Sequence, residues 1–93
     1  MDYQKLADKI LEHGDRRSAA YREGMIAVIK RRIDDSPVQA PYAAGTVEFD
    51  AYFAGNERGH NEWRNALIEA NGDREQAIAR LQKLAGATAR RAA

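Results

Sequence analysis

The chain has no cysteine and only two histidines among its 93 residues. Disulfide bonds and thiolate metal sites are therefore excluded, and two histidines leave little scope for a histidine-based metal site. We expect neither a metal ion nor any other cofactor. A chain without disulfides is compatible with a reducing compartment, so we expect a cytoplasmic location.

Long apolar runs and an export signal are also missing from the sequence. No window approaches the roughly 18 consecutive apolar residues that a membrane-spanning helix needs, and the N-terminus mixes acidic with basic residues. We therefore expect no membrane partner. With 44% hydrophobic and 31% charged residues, the composition is typical of one small globular domain.

Neither charge sign is in clear excess, because the chain has 15 Lys and Arg residues and 14 Asp and Glu residues. The chain lacks the long-range field of a general nucleic-acid binder, so a nucleic-acid contact must depend on local clusters of cations. Eleven of the 15 basic residues are arginine, which favours planar contacts to carboxylate or phosphate. A GC-rich genome would produce the same bias.

Helical periodicity is what the chain does contain. Apolar residues recur at helical spacing in four segments, and each segment follows a residue that caps helices well. The predicted caps are Asp2, Asp15, Thr46 and Asp73, and the helices are predicted to end near His13, Asp34, Ala70 and Ala85. We predict an all-α fold, a four-helix domain over residues 1–86 with a central helix-loop-helix, short flanking helices and a flexible C-terminal tail over residues 87–93.

Residues 35–46 interrupt the helical pattern. Pro37 and Pro41 each disfavour helical geometry in the residue before them, and Gly45 offers a turn. The segment is more apolar than an ordinary surface connection, so we expect it to pack on the adjacent helices. Tyr42 is the aromatic residue that we most expect to be partly exposed.

An aromatic stripe follows the helical period along the predicted third helix. Phe49, Phe53 and Trp63 fall within it, and so do the polar residues Asn56 and His60. We expect the stripe to be mainly core that fastens the loop to the helices. The alternatives are a stacking platform for nucleotides and an anchor for a protein partner. Asn56 and His60 define a candidate polar site within this stripe.

His60 follows Glu57 by three residues, which is half of a carboxylate metal site on a helix. No second Glu-x-x-His pair exists in the sequence, so we favour a histidine that hydrogen-bonds to the loop or to Tyr21 over a ligand contact. The chain also lacks a glycine-rich phosphate loop and a plausible Ser-His-Asp set. We therefore expect no enzymatic activity, no catalytic residue and no metal site.

Several short motifs follow one another in a fixed order through the central segment. They are Gly24, the pair Pro41-Tyr42, the helix start Gly45-Thr46, the pair Tyr52-Phe53, and Gly55 with Gly59. In this order and spacing they resemble ribosome modulation factor and the small modulation-factor-like proteins of bacterial and prophage genomes. The sequence departs from the family at Tyr52, where tryptophan is expected, and at Asn56, which replaces an aromatic residue between the two glycines.

The resemblance implies a regulator that binds RNA or the small ribosomal subunit, as ribosome modulation factor does when it promotes inactive ribosome dimers. Local clusters of cations and one tyrosine supply candidate contacts to phosphate and base. These candidate contact residues are Arg22, Lys30, Arg31, Arg32, Tyr42 and Arg64. The cations also suit a simpler role, because they stabilise a helix C-terminus and solvate its outer face.

Two other binding hypotheses stay open at this point. One is a phage-type inhibitor or adaptor that acts on a host protein complex through the loop and the aromatic stripe. The other is a homodimer that buries the apolar faces of the two terminal helices.

Overall fold

The computed structural model describes the backbone of residues 1–92 and the side chains of residues 1–86. Four α-helices follow one another: α1 at Tyr3–Ile10, α2 at Ala19–Asp34, α3 at Val47–Glu69 and α4 at Arg74–Ala92. Residues 1–92 contain no β-strand, so the predicted all-α four-helix fold is confirmed. The predicted short C-terminal helix ending near Ala85 is wrong, because α4 has 19 residues and continues to Ala92. The predicted tail at 87–93 lies outside the residues with described side chains and stays a prediction. No described helix is long and apolar enough to cross a membrane.

Three helices begin at the predicted capping residues. The side chains of Asp2, Thr46 and Asp73 each accept a hydrogen bond from the backbone N–H three residues later. This bond satisfies one of the N–H groups that the first turn of a helix leaves without a partner. The short-range chemistry of the caps therefore sets these three boundaries.

The connection between α1 and α2 differs from its prediction. α1 ends at Ile10 instead of near His13, and α2 begins after Ser18, whose Oγ accepts from the Tyr21 N–H at 3.2 Å. The predicted cap at Asp15 is wrong. Arg17 consequently stays outside the helix, where its guanidinium lies 4.7 Å from the centroid of the Tyr21 ring.

α2 and α3 touch backbone to backbone, and glycine makes this contact possible. A β-carbon added to Gly24 would collide with the carbonyl oxygen of Tyr52, and one added to Gly55 would collide with that of Tyr21. Gly59 lies at the same interface. Because glycine has no side chain, the two helices approach more closely than any other residue would allow.

The two helices run in the same direction. Gly55 lies against Tyr21 near the start of α2, whereas Arg74, just after α3, donates to the carbonyl oxygen of Arg32 at the end of α2. The loop between α2 and α3 must therefore travel back along α2. It does so without regular secondary structure until a turn at residues 44–45.

One hydrophobic core joins all four helices, with α1 and α4 packed on each other. The buried residues of this core are Leu6, Ala7, Met25, Ile29, Trp63, Ala66, Ala77, Leu81 and Ala85. The apolar faces of the two terminal helices are thus covered within one molecule. A homodimer would have to use another surface.

Candidate functional site

Four aromatic rings from the loop and from the first half of α3 form a continuous series of edge-to-face contacts. The ring centroids of Tyr42 and Tyr52 lie 6.3 Å apart, those of Tyr52 and Phe53 also 6.3 Å, and those of Phe53 and Phe49 4.7 Å. Such spacings are typical of favourable aromatic pairs. We call these four residues the aromatic surface, because only Tyr52 among them is buried and Phe53 is 48% exposed.

Two phenol hydrogen bonds hold the loop in place beneath this surface. The Tyr42 hydroxyl donates to Oε2 of Glu23 at 3.0 Å, and the Tyr52 hydroxyl donates to the carbonyl oxygen of Gln39 at 3.3 Å. The hydrogen bond to Glu23 raises the pKa of Tyr42, and burial raises the pKa of Tyr52. Both phenols stay protonated at neutral pH, so the loop is presented in one defined position.

Carboxylates, not cations, surround the aromatic surface. Residues 33–57 contain no Lys, Arg or His, although the whole chain has 15 Lys and Arg residues. Asp50 and Glu57 are exposed and lie three residues before and four residues after Phe53, which places all three on one face of α3. Glu23 reaches the same surface from α2 through its bond to Tyr42. The local electrostatic field is therefore negative.

The nearest basic side chains on the outer face of α3 are further along the helix. His60 and Arg64 are both exposed and follow Phe53 by seven and eleven residues. At 1.5 Å per residue they lie about 10 and 16 Å beyond Phe53 along the axis. Arg64 donates to Oδ1 of Asn61 at 3.2 Å, and it does not join the aromatic surface.

Two of the predicted contact cations are engaged with α1. Arg22 forms an ion pair with Asp8 at 2.6 Å, and the Lys30 ammonium lies 5.8 Å from the centroid of the Tyr3 ring. Both contacts fasten α1 to α2. Packing between the two helices explains their positions.

Arg31 and Arg32 are exposed in the last turn of α2, apart from the tyrosine that was predicted to act with them. Tyr42 meets α2 at Glu23, eight residues before Arg31, which corresponds to about 12 Å along the helix. The structure therefore separates the predicted stacking residue from the predicted phosphate contacts.

A further cation, which the sequence did not reveal, joins the end of α2. The Arg74 guanidinium donates to the carbonyl oxygens of Arg32 at 2.8 Å and Ile33 at 3.2 Å. These carbonyls belong to the last turn of α2, where a cation is electrostatically favourable. Arg74 lies more than 40 residues away in sequence from both carbonyls, so no local pattern could have indicated the contact.

The two polar residues of the predicted stripe lie in opposite environments. Asn56 is buried at the α2–α3 interface and its Nδ2 donates to the carbonyl oxygen of Gly24 at 2.7 Å. His60 is exposed, so its predicted place in the core and its predicted bond to the loop or to Tyr21 are wrong. Glu57 and His60 belong to no group of three or more possible metal ligands in the described part of the chain.

The aromatic stripe divides into core and surface. Trp63 is buried and Tyr42 is partly exposed, as expected, and Tyr52 is buried as well. Phe53, expected in the core, is half exposed. The buried face of α3 is therefore turned by about one residue from the predicted face. The reason is that Gly55 and Gly59 occupy the centre of the interface with α2, and glycine contributes nothing to a hydrophobic pattern.

An open groove of about 530 Å³ lies between the end of α1 and the start of α2. Its charged lining residues are Asp8, Asp15, Arg16, Arg17, Arg22 and Glu23. Carboxylates and guanidinium groups are equally numerous there, so the groove favours neither anions nor cations.

Comparisons of the chain with family models, with curated proteins and with solved structures found no match. Three of the four glycines that contribute to the resemblance to ribosome modulation factor, Gly24, Gly55 and Gly59, lie at the α2–α3 interface. Close helix packing accounts for them without any binding role.

Proposed function

We propose that this protein is a small non-enzymatic binding protein that docks on a protein partner through its aromatic surface, as an inhibitor or adaptor would. The observation that carries the proposal is the half-exposed Phe53 ring, set among three other aromatic rings with no basic side chain in residues 33–57. Aromatic anchors of this kind dominate the binding energy of protein interfaces. Burying the ring against a partner would also remove apolar area from water.

The charge around the aromatic surface favours a protein over a nucleic acid. A base stacked on Phe53 would bring its phosphates close to Asp50 and Glu57, well within the Debye length of about 8 Å at physiological salt. Nucleic-acid sites that use aromatic stacking instead combine it with a positively charged groove. The aromatic surface lacks that groove, because its neighbouring charges are carboxylates.

The aromatic surface is also held firmly from beneath. The Tyr42 and Tyr52 hydrogen bonds fix the loop, and the glycine contacts fix α3 on α2. A surface that is already ordered loses little conformational entropy when a partner binds. An inhibitor or adaptor would gain affinity from this rigidity.

Association with RNA or the ribosome is a second candidate function, and one observation favours it. Arg74 brings an additional cation to the end of α2, where Arg31 and Arg32 are exposed. Contacts of these side chains to phosphate would weaken steeply with salt. We rank this function second because Asp34 and Asp35 lie two to four residues after Arg31 and Arg32 and reduce the local charge.

A capture experiment with two matched variants tests the first proposal. The full chain, Phe53→Ala and Ile68→Ala are immobilised and exposed to a lysate of the source cells at low and at high salt. Ile68 is the control because it is 66% exposed on the same helix but lies outside the aromatic surface. Bound proteins and RNA are identified and then purified for direct binding measurements.

The proposal predicts a protein that is retained by the native chain and by Ile68→Ala, resists high salt, and is lost from Phe53→Ala. Binding that is unchanged in Phe53→Ala would contradict it. Recovery of ribosomal subunits or RNA that disappears at high salt, and also in Arg31→Ala/Arg32→Ala, would support the second candidate instead.

A further inference from the structure

We infer that the segment of the partner that binds the aromatic surface is basic, with an arginine beside an apolar residue. This inference rests on the proposed function and names the chemistry of its partner. It depends on the carboxylates that surround the aromatic surface, on their lack of intramolecular cations, and on their position relative to the exposed ring of Phe53.

No described cation pairs with the carboxylates around the aromatic surface. Some carboxylates on α1, on the C-terminal half of α3 and at the turn after α1 do have such partners. The ion pairs between described residues are Lys9–Glu12, His13–Glu12, Arg22–Asp8, Arg58–Glu62 and Arg80–Glu69. Glu23, Asp50 and Glu57 form no ion pair with any residue whose side chain is described.

Helix electrostatics explain only part of this arrangement. Asp50 lies in the first turn of α3, where a negative charge stabilises the helix end. Glu57 lies in the third turn, beyond the reach of that effect, and Glu23 is held by the Tyr42 hydroxyl. The charges of Asp50 and Glu57 are therefore available to a cation supplied by another molecule.

The geometry suits arginine in particular. Phe53 lies between Asp50 and Glu57 on one face of α3, so a planar guanidinium stacked on the ring would be within reach of a carboxylate on either side. Arginine combines stacking on an aromatic face with paired hydrogen bonds to a carboxylate, which lysine does less well. The chain uses the stacking contact itself where Arg17 lies over the Tyr21 ring.

A selection from a random dodecapeptide library tests the inference and does not require the partner to be identified. The full chain is the target, and peptides that also bind Phe53→Ala are removed. Affinities of the selected peptides are then measured for the native chain and for Asp50→Asn/Glu57→Gln. Asp15→Asn/Glu75→Gln is the matched control, because it removes the same charge from two exposed carboxylates elsewhere, one of them in the first turn of α4.

We expect arginine-containing peptides that bind about five- to tenfold more weakly to Asp50→Asn/Glu57→Gln and almost unchanged to the control. Neutral or acidic peptides that depend on Phe53 would overturn the inference but leave the proposed function standing. Failure to select any peptide that depends on Phe53 would count against both.

A second copy of the chain could also supply the arginine, since the chain has exposed arginines of its own. Sedimentation of the native chain over a range of concentrations measures this self-association. A dimer that dissociates in Asp50→Asn/Glu57→Gln would assign the surface to a second copy of the chain and would overturn the inference.

Discussion

The inner and outer sides of the first half of α3 differ in how closely they are packed. On the inner side, Gly55 and Asn56 meet α2 through backbone contact and a buried hydrogen bond, and no atom can be added. On the outer side, Phe53 stands half exposed between Asp50 and Glu57, which have no ion-pair partner among the described side chains. Close packing on one side of the helix thus fixes the position of the aromatic surface, the proposed binding surface, on the other.

The largest expected effect on stability concerns the inner side of α3. Gly55→Ala would drive a methyl group into the carbonyl oxygen of Tyr21, so the helices must separate. We expect a loss of about 3 kcal/mol or more in the free energy of unfolding, measured by urea denaturation. Gly86→Ala is the control, because nothing lies within 4 Å of its added β-carbon and alanine suits a helix better. Equal stability of the two variants would contradict the glycine interface.

The buried amide gives the next largest effect. Asn56→Ala removes the hydrogen bond to the carbonyl oxygen of Gly24 and leaves space at the interface. We expect it to lower the free energy of unfolding by about 2 kcal/mol. Asn65→Ala, an exposed position on the same helix, should change it by less than about 0.5 kcal/mol. If Asn65→Ala lowered the free energy of unfolding as much as Asn56→Ala, the difference between the buried and exposed sides of α3 would be contradicted.

The outer side should tolerate substitution. Phe53→Ala loses the edge contacts with Phe49 and Tyr52 but gains helix propensity at a half-exposed position, so we expect about 1 kcal/mol of destabilisation. Circular dichroism and urea denaturation measure the change. A loss of stability as large as that of Gly55→Ala would show that Phe53 belongs to the core and is not free to bind a partner.

The smallest expected effect concerns the loop. Tyr42→Phe removes only the hydrogen bond to Glu23, so amide hydrogen exchange should quicken in residues 36–46 while the helices keep their protection. Because Glu23 raises the pKa of Tyr42, the folded state favours the protonated phenol. The stability from this bond is therefore present below the unfolded value of about 10 and is lost as pH rises above it.

The urea midpoints of the native chain and Tyr42→Phe should accordingly converge above about pH 10. A difference between them that stayed constant through this range would show that the hydroxyl group does not hold the loop.

Local chemistry made most of the fold predictable. Asp2, Thr46 and Asp73 cap helices through contacts three residues away, which a sequence reveals directly. Asp15 and Ser18 both suit a cap, and the sequence alone did not decide between them. Ser18 prevails in a structure where Arg17 stacks on Tyr21.

The candidate site was harder to predict because it depends on contacts between distant residues. Phe53 and His60 were placed in the core since the hydrophobic pattern does not register Gly55 and Gly59. One signal was present in the sequence, namely the absence of cations over residues 33–57. The sequence alone does not show that this segment forms one surface with Glu23, because Glu23 joins it from another helix.

The partner should bind the outer side of the first half of α3, and amide NMR measures this directly. The full chain, labelled with ¹⁵N, is titrated with the captured partner or with a selected peptide. We predict that chemical shifts change at residues 42–57 and stay constant at Arg31 and Arg32. Changes confined to the end of α2, with none around Phe53, would contradict the proposed binding surface.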